Sequence, residues 1–189
     1  MPAIINANER VAEMGSVMIG SRPTFLSSGG MQFLIMDAPR QSNLHLYIKE
    51  MSKYGVTDVV RVCEPTYVAN DLQSAGVSLH EMPYDDGHSP PREILDNWLR
   101  LVEQRFFLSP PPNTKNAIAV HCVAGLGRAP VLVAIALVEF ANMDPVEAVM
   151  FIRKNRRGAI NQQQLNWLEQ YRRSYKRAGT GDNSCCIIS

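Results

Sequence analysis

From Val56 onward, short β-branched runs alternate with stretches whose apolar residues recur at helical spacing, and that alternation strongly constrains the fold. Strands of this kind must lie side by side, largely parallel, with the intervening helices packed over the sheet. Leu44, Ile48 and Met51 mark a helix that Gly55 stops, and Val56–Val62 reads as a buried strand. A short helix around Val68–Ala75, a strand over Gly76–His80, a helix over Pro91–Phe107 and a strand over Ala117–Val120 follow. Three more helices are expected at Pro130–Phe140, Pro145–Asn155 and Asn161–Tyr175. Upstream, a short strand from Thr24, the Gly29-Gly30 turn and Gln32–Met36 form a hairpin pattern. The expectation is a single-domain α/β fold with a mixed, mainly parallel sheet of about five strands and helices on both faces.

With 189 residues, 46% of them hydrophobic, the chain can bury one substantial core. Residues 1–22 lack a sustained period and are read as a flexible extension, residues 23–175 as the domain, and residues 176–189 as a tail. Pro110–Asn113 is short enough for a surface loop. No run of eighteen apolar residues occurs, and Met1–Asn6 lacks the build of a secretory signal, so the expected location is the cytosol or the cytosolic face of a membrane. The net charge of +1 argues against nucleic acid as a partner, yet 8 of the 19 Lys and Arg residues fall within 153–177, beside Glu169 alone among acids. Cys63, Cys122, Cys185 and Cys186 do not have zinc-site spacing, so neither a metal nor another cofactor is expected.

The segment His121-Cys122-Val123-Ala124-Gly125-Leu126-Gly127-Arg128 connects the last strand to an apolar helix. In an open α/β sheet that junction is where ligands bind. Gly125 and Gly127 let successive backbone N–H groups turn toward one point, and the following helix adds its positive end. Such a cradle suits a dianion and favours the thiolate of Cys122 as a nucleophile. Arg128 provides a bidentate cation that lysine cannot imitate, and Pro130 suits a first helical turn. His121 either secures the loop through a backbone hydrogen bond or takes part in the chemistry.

The cradle matches the Cys-x5-Arg signature of protein tyrosine phosphatases, and the run from Val120 to Ala134 resembles that of the phosphatase of regenerating liver family, also called type IVA. Similar motifs follow the same order: Tyr54–Thr57, Arg61–Glu64, Asp85–Gly87, Phe151–Arg153, Arg156–Ala159 and the terminal cysteine pair, covering roughly residues 23–189. The resemblance implies a phosphocysteine mechanism on phosphoprotein substrates, with Asp86 as general acid and later base, and Asp85 in support. It also implies a reversible disulfide between Cys63 and Cys122, the alternative being that Cys63 is an inert buried thiol. Tyr67 is either a rim residue or part of the core.

Two positions stand out. Ala129 replaces the Ser or Thr usual in the wider superfamily, as it does in the type IVA group, which implies slow hydrolysis of the phosphocysteine. Met82 stands where the family usually has tryptophan before the acid-loop proline. Apolar Val123, Ala124 and Leu126, in place of loop lysines, favour a phosphoprotein over a phosphoinositide.

The terminal Cys186-Ile187-Ile188-Ser189 has the pattern of a farnesylation signal, with methylation in its train. Because one lipid binds only marginally, Arg172, Arg173, Lys176 and Arg177 are expected to add attraction to an anionic cytosolic leaflet, at the plasma membrane and endosomes; Arg153, Lys154, Arg156 and Arg157 are either part of this cluster or helix caps. The resemblance leaves a second role open, a binding module whose cradle docks a cyclin M magnesium transporter. Self-association into a homo-oligomer is left open as well.

Overall fold

The computed structural model describes residues 18–108 and 116–177. Five strands, β1 (Thr24–Ser28), β2 (Met31–Met36), β3 (Val56–Arg61), β4 (Ser78–Glu81) and β5 (Ala117–His121), form one sheet in the order β1-β2-β5-β3-β4. β1 and β2 pair antiparallel through the Gly29-Gly30 turn, whose φ angles of 57° and 79° suit a two-residue hairpin connection. All other neighbours are parallel, and β5, at the centre, is buried along its whole length, which explains its unbroken apolar run Ala117-Ile118-Ala119-Val120.

Among the described residues six α-helices cover the sheet: α1 (Leu44–Lys53), α2 (Asn70–Ser74), α3 (Arg92–Glu103), α4 (Arg128–Phe140), α5 (Pro145–Asn155) and α6 (Gln162–Gln170). Leu44, Tyr47, Met51 and Leu72 of α1 and α2 pack with Leu34, Met36, Val59 and Ala119 on one face. On the other face α3, α4, α5 and α6 form a larger core around Trp98, Leu132, Val149 and Leu168, against Phe33, Ile35, Val60 and Val120. Burial of each such large side chain contributes roughly 1.5–3 kcal/mol. Every residue of α4 is buried, so it runs through the middle of this layer.

Local capping sets the later helix starts. Asp144 accepts a hydrogen bond from Val146 N at 2.9 Å, with Pro145 in the first turn of α5, and Asn161 forms a reciprocal capping box with Gln164 at the start of α6. α4 has no side-chain cap, which leaves the N–H groups of its first turn facing the cradle.

Element boundaries differ from the sequence reading in identifiable ways. α4 begins at Arg128, two residues early, because the cradle leads directly into it. The strand expected at Gly76–His80 starts at Ser78, since Gly76 (φ 73°) is still finishing the turn out of α2. α3 continues through a π-helical turn, Gln104–Leu108. α6 stops at Gln170 rather than reaching Tyr175, because the Glu139 carboxylate binds Tyr171 Oη (2.6 Å), Ser174 N (3.0 Å) and Tyr175 N (3.4 Å). Those N–H groups are thereby taken from the helical ladder.

Within the expected extension, Gly20 N donates to Tyr47 Oη at 3.1 Å and Ser21 N to Asp37 Oδ2 at 2.8 Å. Residues 1–17, Pro110–Asn113 and the tail beyond Arg177, including Cys185 and Cys186, lie outside the described residues. Among the described residues no helix is long and apolar enough to cross a membrane.

Candidate active site

Strand register assembles the site. Met36 of β2 and Arg61 of β3 both lie opposite His121 of β5, so the segments leaving three parallel strands run side by side at one edge of the sheet. Asp37-Ala38, Val62-Cys63 and Cys122 are thereby brought together.

The loop from Cys122 to Gly127 is held from outside by its carbonyls. Val123 O accepts from Ala38 N (3.0 Å) and Leu126 O from Ile160 N (2.7 Å). Between them, Arg156 donates through Nη2 to Ala124 O (3.2 Å) and through Nε to Gly125 O (2.6 Å). In a planar trans peptide the N–H points opposite the carbonyl, so four outward carbonyls direct the N–H groups of Ala124, Gly125, Leu126 and Gly127 to the concave side. Gly125 holds φ at 67°, and a Cβ there would strike Met36 O and come within 2.6 Å of Arg156 Nη2. Cys122 is 3% exposed, as befits the floor of a cradle, whereas Val123 and Leu126 present apolar side chains to solvent.

Arg128 is fixed from the side. Its Nη1 donates to Val62 O (3.1 Å) and Tyr84 O (2.9 Å), and Tyr84 Oη returns a bond to Arg128 O (2.9 Å). Arg128 Nε is buried and makes no directed hydrogen bond, although it lies 3.2 Å from Asp86 Oδ1. The guanidinium is thus anchored by one nitrogen and keeps its Nε edge for an incoming oxyanion. Pro83–Gly87 carries Asp86 to the mouth, where its side chain is 71% exposed and accepts from Gly87 N at 3.0 Å. The Asp85 carboxylate is exposed and, among the described residues, makes no hydrogen bond or ion pair. Met82 is buried beneath this segment, its N bonded to Arg61 O (2.9 Å), and Ala129 is fully buried in the first turn of α4.

Behind the cradle, His121 is fully buried, with Nε2 2.7 Å from Tyr67 Oη and Nδ1 3.9 Å from Cys63 Sγ. Burial and the nearby Arg61 cation push its pKa down to about 3, while a hydrogen bond to the Cys122 backbone opposes the shift. Burial raises the pKa of the Tyr67 hydroxyl, which therefore donates to Nε2 and places the imidazole proton on Nδ1. A neutral, enclosed imidazole of this kind braces the loop. Tyr67, 5% exposed, is part of that wall rather than the rim, held by Arg61, which bonds its carbonyl (2.7 Å), stacks on its ring and pairs with Glu81. Cys63 is a free, buried thiol, and burial raises its pKa.

Two residues of the site were not singled out by sequence reasoning. Arg156, whose sequence position fits either the basic cluster or a helix cap, is 6% exposed and clamps the loop. Gln164 carries a buried Nε2 without a hydrogen-bond partner among the described residues, 3.3 Å from where a Cβ on Gly127 would sit. The sequence signals were the position of Gln164 in the Asn161-x-x-Gln164 capping box and, for Arg156, the Arg156–Ala159 motif of the family resemblance, which runs into the Gly158 turn.

A buried thiol in a loop lined by N–H groups, followed by a fixed arginine and overhung by a carboxylate, defines a Cys-x5-Arg phosphatase. A family model described as "Swiss Army Knife protein, DSP-PTPase phosphatase domain" matches residues 30–180. The chain is 51% identical over 161 residues to protein tyrosine phosphatase PRL-1 of Leishmania major, covering 82% of this chain and 87% of that protein. It is 44% identical over 170 residues to human protein tyrosine phosphatase type IVA 3, covering 88% and 95%. The solved structure of a Leishmania major protein tyrosine phosphatase superposes with a TM-score of 0.73 at 44% identity, covering 81% of this chain and all (100%) of that one. Kinase associated phosphatase, at 18% identity and a TM-score of 0.61, shares the fold, over 79% of this chain and 92% of its own. The chain belongs to the protein tyrosine phosphatase type IVA family, and it is a protein tyrosine phosphatase.

Proposed function

We propose that the chain hydrolyses phosphoprotein monoesters in two steps, through a phosphocysteine on Cys122. The observation that carries this reading is the cradle itself: inward N–H groups above Cys122, with an Arg128 Nε that makes no hydrogen bond and is held only by its ion pair with Asp86. In the first step the Cys122 thiolate attacks phosphorus, Arg128 and the loop amides hold the equatorial oxygens, and Asp86 protonates the departing oxygen. The arriving dianion takes Arg128 Nε from Asp86, which releases the Asp86 carboxyl from its ion pair. In the second step water gives a proton to Asp86 and its oxygen attacks phosphorus, the S–P bond breaks, and inorganic phosphate and the Cys122 thiolate are released. With Ala129 in place of a hydroxyl, no side chain there donates to the departing thiolate, and this step is the slow one.

Rapid mixing with an aryl phosphate tests the scheme. A burst equal to the enzyme concentration, followed by slow turnover, is expected, and Ala129→Ser should speed the turnover while leaving the burst unchanged. A slow phase unaffected by Ala129→Ser sinks the explanation of slowness. A burst with essentially no turnover favours the second reading, docking of a membrane partner such as a cyclin M transporter, which the exposed apolar Val123 at the mouth also supports.

Two further features complete the proposal. Cys63, a buried free thiol on which the charge of Cys122 acts, serves as the redox partner that captures oxidised Cys122 as a disulfide; peptide mapping after mild peroxide should find the link, and its absence excludes the role. Cys186 carries a prenyl group, and the exposed Arg172, Arg173 and Lys176 add electrostatic attraction to the cytosolic leaflet. Arg177 contributes less than its sequence position promised, because it lies 4.8 Å from the ring centroids of both Phe107 and Phe140 and donates to Phe140 O. Retention of Cys186→Ser on membranes would refute the lipid anchor.

A further inference from the structure

We infer that Arg156 is a positioning residue of the phosphate loop: it holds the Ala124 and Gly125 peptides with their N–H groups inward and thereby sets the preference of the site for an anion. The inference rests on the reading of Cys122 as a nucleophile within a phosphate cradle.

All five guanidinium N–H groups of Arg156 are committed. Nε and one Nη2 hydrogen go to Gly125 O and Ala124 O (2.6 and 3.2 Å). The remainder reach Ser21 Oγ (3.2 Å), Arg22 O (3.2 Å) and Thr24 Oγ1 (3.0 Å). The fork therefore ties the loop, at positions 124 and 125, to the segment entering β1. A lysine, with one compact ammonium, cannot span both sides.

The electrical setting is unusual for a buried cation. Among the described residues, none of the ion pairs includes Arg156, and the Asp37 carboxylate nearby is engaged by Tyr47 and Ser21. Its charge is balanced by carbonyl oxygens instead, and those are the carbonyls of the anion-binding peptides. A cation on the oxygen side of a peptide polarises it and strengthens the N–H on the other side. Burial weakens the charged form of Arg156, whereas Asp37 and then Cys122 favour it. A buried cation without a carboxylate partner is costly, and that cost persists where the loop needs it.

Gly125 belongs to the same device, because only a residue without Cβ lets the guanidinium approach its carbonyl so closely.

The test compares alkylation of Cys122 by anionic iodoacetate and neutral iodoacetamide at fixed pH, with Cys122 modification followed by peptide mass analysis. Because both reagents consume the same thiolate, their rate ratio reports anion attraction by the loop and not the amount of thiolate or the folded fraction. In the wild-type chain iodoacetate should be the faster reagent. Arg156→Lys, which keeps the charge without the fork, should lower the ratio about tenfold, the scale of a lost charge-assisted hydrogen bond. Ser21→Ala with Thr24→Val leaves Arg156 in place but removes two of its outer anchors, and should lower the ratio two- to threefold, about the effect of weak neutral bonds. This second variant keeps the test informative if Arg156→Lys fails to fold. A wild-type preference that survives unchanged in both variants overturns the role of Arg156. Absence of any iodoacetate preference in the wild type counts against the cradle reading instead.

Discussion

The buried histidine behind the nucleophile gives the sharpest expectation for stability. His121 is fully buried, fixed between Tyr67 Oη and Cys63, and its pKa falls from 6.5 to about 3, through burial first and Arg61 second. Because the folded value is depressed, the unfolded chain binds the proton first as pH falls. The neutral imidazole therefore stabilises the fold fully above pH 6.5, and that stabilisation is lost progressively from pH 6.5 down toward about 3. Each pH unit within the window is worth about 1.4 kcal/mol, so at pH 5 the loss is about 2 kcal/mol. Urea unfolding at pH 7, 6 and 5 measures it for wild type and His121→Gln, in which the amide retains a partner for Tyr67 but cannot titrate. All other groups are common to both proteins, so the difference in slope isolates one proton. The wild type should lose stability more steeply than His121→Gln by about 1.4 kcal/mol per unit between pH 6 and 5. Parallel slopes would refute the neutral, enclosed state of His121.

Three other substitutions probe the frame. Gly125→Ala, at φ 67° and in collision with Met36 O, should cost more than about 1 kcal/mol in urea unfolding and abolish binding of inorganic phosphate measured by calorimetry. Tyr84→Phe removes the hydroxyl that donates to Arg128 O and should destabilise the fold by about 1–3 kcal/mol, with a lower burst rate because Arg128 loses a fixed neighbour. Glu139→Ala should release residues 171–177, seen as faster tryptic cleavage after Arg172 and Arg173, with burst chemistry unchanged because Glu139 lies at the far end of α4 from the cradle.

Much of the architecture was legible because local pattern and tertiary environment agree. The Gly29-Gly30 hairpin, the unbroken apolar run of β5 and the periodicity of α1 describe faces that are indeed buried. The cradle was legible for a related reason: Cys122, Gly125, Gly127 and Arg128 must be contiguous to wrap one anion, so their spacing is visible in a single chain segment. The fold also brings Asp86 and Cys63 to the same edge, since each follows a strand parallel to β5 or its neighbour.

What sequence reasoning missed depends on long-range partners. The basic run 153–157 looks uniform, yet Arg153 bonds Ala159 O and Ile160 O, Arg156 reaches back to residues 21–24, and Arg157 is exposed. Nothing in their spacing ranks them, because the ranking depends on carbonyls some thirty positions away in the loop and more than a hundred away near β1. The end of α6 follows the same rule. Apolar periodicity continues to Tyr175, but the Glu139 carboxylate offers Ser174 and Tyr175 a charged acceptor, and a charge-assisted bond prevails over one more turn of a neutral ladder. Tyr175 Oη then reaches Glu103, and Arg177 stacks on Phe107 and Phe140, so the chain is fastened to the ends of α3 and α4. α4 itself spans 13 residues, about 19 Å at 1.5 Å per residue, from the cradle to that attachment. Two of the buried polar anchors of this protein thus sit at the two ends of one apolar helix, and at each end a buried charge, Arg128 or Glu139, holds backbone that periodicity alone leaves unassigned.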